Sequence, residues 1–300
     1  MGTNDVSVTE PVSIKESAKR FGLRYVPAAN IDPSDYLPSY EPNTNGCTPL
    51  LGLIANGYDF PTVQQHILAK PEQVHQISNQ KWTPLHMLCV CAYSNDRYGD
   101  IMCALIEAGA NINAQDADGF TPLMRVLVNR NCSIILFNIL MDRHCDLNLK
   151  NSQGYTALHL YYQARSRHIN QQVTRPIFDA GFSINNTTDE GDNLLMVMIR
   201  DRDYLITRAM IQGTTELIDR GIDLDAVDSE GNTSLHIAAR NNFDDIAQVL
   251  IDKGSNVNAF NNDGETPITL CHWSDLTMIR ALRNAGATDR SPRCCACTLI

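Results

Sequence analysis

The stretch "EGNTSLHIAARNN", residues 230–242, decides how this chain is read, because it has six relatives in the same sequence. They are "NGCTPLLGLIANG" (45–57), "QKWTPLHMLCVCA" (80–92), "DGFTPLMRVLVNR" (118–130), "QGYTALHLYYQAR" (153–165), "EGDNLLMVMIRDR" (190–202) and "DGETPITLCHWSD" (263–275). Each carries a Thr or Asn landmark: Thr48, Thr83, Thr121, Thr156, Asn193, Thr233 and Thr266. Successive landmarks lie 35, 38, 35, 37, 40 and 33 residues apart. The second halves repeat as well, in "LIEAGANINAQ", "LMDRHCDLNLK", "IFDAGFSINNT", "LIDRGIDLDAV", "LIDKGSNVNAF" and "LRNAGATDR". Self-similarity at such a period is the mark of a stacked repeat architecture.

A period near about 33 with a T-P-L-H signature resembles the ankyrin repeat, over Asn45 to about Arg290. The resemblance implies an all-α fold: an ankyrin-repeat solenoid of about seven helix-turn-helix repeats with short finger hairpins. Residue chemistry agrees. Thr caps a helix, and Pro fits the first turn, where its missing N–H would be unpaired anyway. Leu50, Leu85, Leu123, Leu158, Leu195 and Leu235 follow as inward anchors. Gly109, Gly181, Gly221, Gly254 and Gly286 end the second helices. The Asp/Asn-x-x-Gly before each landmark is turn chemistry and makes the fingertip. One repeat cannot bury its apolar face alone, so residues 46–290 are expected to form a single stacked domain.

Against a period of about 33, the gaps carry 2, 5, 2, 4, 7 and 0 extra residues. "YSNDRYGD" (93–100) reads as an inserted loop. The seven extra residues in the fifth repeat equal about two helical turns. They are expected to lengthen "DYLITRAMIQGTTELIDRG" (203–221) and make it project from the stack, either as neutral growth of a tolerant array or as a dedicated contact.

Composition narrows the function. The chain has 300 residues, 34 acidic and 24 basic, for a formal net charge of -10. Phosphate neutralisation needs clustered Lys and Arg, so a nucleic-acid partner is not expected. The richest apolar runs, "SIILFNILM" and "LLMVMIR", fall short of the roughly 18 residues of a membrane span. "MGTNDVSVTE" has no signal-peptide core. Cys89, Cys91, Cys103, Cys132, Cys145 and Cys271 sit in apolar helical patterns, so they read as buried thiols in a reducing compartment. The Cys89-x-Cys91 spacing does not suit zinc. No nucleophile, acid/base or phosphate-loop constellation is present. Neither enzyme activity nor any metal or cofactor is expected, and the chain is read as a monomer.

The resemblance implies that a protein partner binds the fingertips and the exposed side of the first helices, on a concave ankyrin face. It also implies that His86, His159 and His236 bond the neighbouring turn. The residue before each landmark runs Cys47, Trp82, Phe120, Tyr155, Asp192, Asn232, Glu265. Trp82, Phe120 and Tyr155 form an aromatic zone, and aromatics dominate interface energetics. They read either as a recognition surface or as packing between fingers. Asp189, Glu190, Asp192, Glu230, Asp263 and Glu265 form an acidic zone, read either as a second recognition surface or as a solvated face.

Residues 1–45 are a Pro-containing lead-in outside the repeat. Within it "LPSY", Leu37–Tyr40, is similar to the L-P-x-Y peptides that WW domains of ubiquitin ligases take, or is plain Pro-rich chain. Gly2 fails the myristoylation pattern at Val6. Asn131, Asn186 and Asn232 fit glycosylation sequons but lack a secretory route. Residues 291–300, "SPRCCACTLI", read as a flexible tail. Cys297-Thr298-Leu299-Ile300 fits C-a-a-X, with Ile300 favouring geranylgeranyl over farnesyl. Cys294 and Cys295 are palmitoylation candidates that would supply the second signal a stable anchor requires. These motifs imply a eukaryotic prenyltransferase as partner and the cytosolic face of eukaryotic membranes as location. An ankyrin array with such a tail resembles effectors that intracellular bacteria inject into host cells, so a bacterial source would make it a secreted protein acting in host cytoplasm. The competing reading is a soluble adaptor or enzyme inhibitor that links its partner to a ubiquitin ligase.

Overall fold

Helix starts follow the landmark residue. In the computed structural model, which describes residues 48–91, 97–129, 133–165, 169–200, 208–272 and 276–288, Thr48 caps α1 (Pro49–Ala55) by accepting the Leu51 N–H at 3.4 Å. Thr121 caps α5 (Pro122–Val128) through the Met124 N–H at 3.3 Å. Asn193, the one departure from Thr, caps α9 (Leu194–Ile199) through the Met196 N–H at 3.0 Å. Asn and Thr are both good caps, so the signature tolerates the exchange.

Two compact units divide the chain, residues 1–145 and 146–300. In the described part of the first, three helix pairs follow one another: α1 with α2 (Phe60–Ala69), α3 (Pro84–Cys91) with α4 (Arg97–Glu107), and α5 with α6 (Ile134–Asp142). First helices stack on first helices, α1 on α3 on α5, and second on second, α2 on α4 on α6. Leu50, Leu85 and Leu123 are 0, 0 and 1 % exposed. Full burial of such a side chain stabilises by about 1.5–3 kcal/mol, so each anchor is a sizeable contributor to its repeat's stability. A 3-10 turn, Pro71–His75, seats Gln73, whose Oε1 accepts the first-turn Leu50 N–H and faces His66 Nε2 at 2.8 Å. Cys89, Cys103 and Cys145 are buried, and burial pushes the Cys103 thiol up to about 11. Cys132 lies outside the described residues.

The second unit holds four pairs: α7 (Ala157–Arg165) with α8 (Gln171–Asp179), α9 with α10 (Arg208–Asp219), α11 (Ser234–Arg240) with α12 (Asp244–Asp252), and α13 (Pro267–Leu270) with α14 (Leu276–Asn284). Leu158, Leu195 and Leu235 are each 0 % exposed, and Ile268 takes the anchor position in the last pair. Asn241 after α11 donates from Nδ2 to Ile199 O at 2.8 Å, closing the end of α9. In the first unit Asn129 does the same for α3, at Cys89 O.

The first insertion differs from expectation, and in the fifth repeat the expected longer helix is present. Arg97–Asp100 belong to α4 rather than to a loop; an acidic residue in the first turn complements the helix dipole. Residues 92–96 lie outside the described residues. In the fifth repeat, α10 has 12 residues against 9 in α12, and it packs on α12 with Met210, Gly213, Thr214 and Leu217 buried. The rest of that insertion, 201–207, is outside the described residues, as are 1–47 and 289–300.

Candidate interaction surface

Each finger among the described residues is closed by one small polar side chain. In the first unit Asp116 Oδ1 accepts the Asp118 and Phe120 N–H groups at 3.0 and 2.9 Å, and Ser78 Oγ accepts those of Gln80 and Trp82 at 3.2 and 3.1 Å. In the second unit Asn151, Asp228 and Asn261 repeat the geometry, and Thr188 accepts the Asp192 N–H at 3.1 Å. The fourth residue of the turn has positive φ, as in a type I turn followed by a left-handed residue. Lys81 holds that place at φ 57, where the other fingers have Gly. No regular strand forms among the described residues; the fingers are turns. A backbone bond ties finger to finger: Ala117 N–H to Gln80 O at 3.0 Å, Ser229 N–H to Glu190 O at 2.7 Å, and Asn262 N–H to Glu230 O at 2.9 Å. A Cβ on Gly231 would stand 2.8 Å from Asn262 N, so this close approach requires glycine.

The histidines support the fingers from below. His86 Nδ1 accepts the Thr83 N–H at 3.2 Å, which leaves Nε2–H to donate to Phe120 O at 2.8 Å. His236 accepts from Thr233 N–H at 3.1 Å and donates to Glu265 O at 3.2 Å. Both rings are therefore neutral. Burial lowers the pKa of each and drives that of His159 down to about 4.

In the first unit Trp82 and Phe120 are half-buried. The Arg125 guanidinium lies 5.2 Å from the Trp82 ring and 4.3 Å from the Phe120 ring, and its Nε donates to Asp116 Oδ2 at 2.9 Å. Each ring thus has one part engaged in packing and another left to solvent. In the second unit Tyr155 is half-buried, edge-on to His159 at 6.2 Å. Desolvation raises its phenol pKa, helped by Asp192 and Glu190.

The acidic residues separate by environment. Asp192 is 1 % exposed and paired with Arg200, which also donates to Asp228 Oδ2 at 3.0 Å. Burial raises the Asp192 pKa against the opposing pull of Arg200. Its carboxylate is an internal ion-pair partner. Glu230 is exposed and accepts from Asn232 Nδ2 at 3.0 Å, with Arg240 at 3.4 Å. Glu265 is half-buried and accepts from Asn261 Nδ2 at 3.0 Å. Sequence reasoning missed Arg125, Arg200 and Arg240, all set on or just after first helices. It also missed Val227 and Phe260, 50 and 51 % exposed, each immediately before a turn-closing residue. Cys294, Cys295, Cys297 and the "LPSY" segment lie outside the described residues. Among the described residues no group of three or more His, Cys, Asp or Glu is placed to hold a metal, and no helix is long and apolar enough to cross a membrane.

Residues 88–171 match the model for ankyrin repeats in three copies, and 217–271 that for ankyrin repeats in many copies. Mouse Rabankyrin-5 is 32 % identical over 215 residues, 68 % of this chain but 16 % of that protein's length. The ankyrin repeat domain of Bcl-3 superposes with a TM-score of 0.63 at 21 % identity, over 80 % of this chain and 99 % of that one. The human ASB11 ankyrin repeat domain gives 0.61 at 19 %, over 81 % and 100 %. This chain therefore carries ankyrin repeats, at residues 88–171 and 217–271, in a fold that ankyrin-repeat domains share.

Proposed function

We propose that this chain is a non-catalytic protein-interaction module that holds a protein partner on its fingers and is tethered to a membrane through its C-terminal cysteines. Ankyrin repeats generally bind proteins, and one observation carries the reading further. In the finger turns that carry Trp82, Phe120 and Tyr155, the paired backbone N–H groups are taken by one turn-closing side chain each, so that closure does not use the three rings. Trp82 and Phe120 with Arg125 offer an aromatic and cationic contact in the first unit, Tyr155, Glu230 and Glu265 a polar one in the second.

Prenylation of Cys297 by a eukaryotic transferase, with palmitoylation of Cys294 or Cys295, accounts for three cysteines in the last seven residues. A single lipid chain holds only reversibly, and two hold stably. The location proposed is the cytosolic face of host membranes, with the protein acting as a bacterial effector. The test is expression in eukaryotic cells, with membrane fractionation and intact mass. The wild type is expected in the membrane fraction, carrying an isoprenoid and lacking Thr298–Ile300, and Cys297→Ser in the cytosol. A soluble wild type with an unmodified end would leave the adaptor reading in its place.

A further inference from the structure

Three acids occupy one position on three consecutive fingers of the second unit. Glu190, Glu230 and Asp263 each stand two residues after the turn-closing Thr188, Asp228 or Asn261, and all three are exposed. The bonds from Ser229 to Glu190 and from Asn262 to Glu230 hold them in register. Among the described ion pairs, Arg240 alone reaches this ladder, at Glu230; Arg200, the next cation, is committed to Asp192 and Asp228. Val227 and Phe260 share a second position, just before the turn-closing residue, and leave half their surface in water. One exposed apolar side chain needs no explanation. Two at matching places on adjacent fingers, beside a row of three exposed acids of which Glu230 alone has a described cationic partner, describe a surface with a defined complement.

We infer that the fifth to seventh fingers bind an extended basic segment of a protein partner, with a cation at every third residue and apolar side chains between. This rests on the interaction-module reading and specifies its partner. Packed helices lie about 8–10 Å apart, and the fingers that ride on them are expected to repeat at about that step. A polyproline-type chain has three residues per turn at about 3.1 Å each, so one face returns after about 9 Å. One cation then meets each acid, and an intervening apolar residue covers Val227 and Phe260.

The probe is a fluorescent ten-residue peptide of Lys-Leu-Ser triplets ending in Lys, titrated against the full chain by anisotropy. It is expected to bind at least tenfold tighter than a peptide of equal charge with Lys at every second position, and than one with Leu replaced by Ser. Glu190→Gln with Glu230→Gln and Asp263→Asn is expected to weaken binding at least tenfold and to flatten its salt dependence. Val227→Ser with Phe260→Ser is expected to weaken it about fivefold. Asp146→Asn with Asp252→Asn, two exposed acids elsewhere in the unit, is the control and is expected to change nothing. Equal binding of the three peptides, or equal losses in the ladder and control variants, would overturn the inference. All substituted side chains are exposed, and circular dichroism checks that each variant is folded. Partner capture from cells that is lost on Trp82→Ala with Phe120→Ala but kept in the ladder variant would leave the module reading standing and overturn this one.

Discussion

Arg125 in the first unit and Arg200 in the second do the same job in different surroundings. Arg125 reaches the base of a finger from a first helix and Arg200 from the residue just after one. Arg125 meets two aromatic rings, the buried Asp116, which also accepts two backbone N–H groups, and at 3.9 Å the exposed Asp118. Arg200 meets two buried carboxylates. Asp228 has backbone and Asn232 donors besides, whereas the bonds described for the Asp192 side chain all come from Arg200. Both finger bases bury a carboxylate against the cation, but Asp116 keeps two backbone donors and Arg125 keeps its rings, whereas Asp192 has only Arg200 among its described side-chain partners. Removing the cation exposes the difference, because a buried charge left without other donors costs more than one that retains them.

The largest effect is expected from Arg200→Met, which strands Asp192. Chemical denaturation should show a loss of about 3–5 kcal/mol, the range for breaking a buried pair. Asp192→Asn in the same chain should restore part of it. A loss under about 1 kcal/mol, the value for a surface pair, would erase the distinction between the two finger bases.

Acid should strike the second unit harder than the first. His159 binds a proton near 6.5 when unfolded and only near about 4 when folded. Between those values the unfolded chain holds the extra proton, so stability is full above pH 6.5 and falls as pH drops toward 4. For His159 the whole window is worth on the order of 3 kcal/mol. His236 shifts the same way in the second unit, and His86 in the first. Amide exchange between pH 6.5 and 4.5 should show protection lost around α7 before α3; the reverse order would break the comparison.

Arg125→Met should cost about 1–2 kcal/mol, since the rings keep an apolar neighbour and Asp116 keeps its backbone donors. Its thermal shift, measured beside that of Arg200→Met, should be the smaller of the two. Least of all is expected from Arg240→Gln. It releases an exposed Glu230 at 3.4 Å, a pair worth about 0–1 kcal/mol, and a bond to Asn232 Oδ1 at 3.3 Å, and its midpoint should fall less than that of Arg125→Met.

The repeat was legible because caps, anchors and turns each need a particular chemistry at a set distance. Leu85, Leu158 and Leu235 are buried where the landmark spacing puts them. Asp192 shows the limit. It occupies a fingertip position, but its burial is decided by Arg200 eight residues on and by Asp228 in the next finger, a three-body arrangement that no local pattern encodes. Arg97–Asp100 were misread for a related reason: charged and Gly-containing sequence suggests a loop, yet packing of α4 between α2 and α6 selects helix. Val227 and Phe260 hid among the ordinary apolar residues of the repeat until their exposure was known.

Consider, last, the side chain that closes each finger. Ser78, Asp116, Asn151, Asp228 and Asn261 hold their turns from the first position by accepting two backbone N–H groups; Glu230 adds a bond from Asn232, and Asn262 one to Ser229, but the two-bond closure does not depend on either. Shape and message are stored in separate letters. A lineage can rewrite Glu230 or Asp263 one mutation at a time without passing through an unfolded ancestor, and an engineer can transplant a new pair of tip residues onto the same scaffold. The surface is thus an alphabet open to revision, set on a frame that natural selection need not touch.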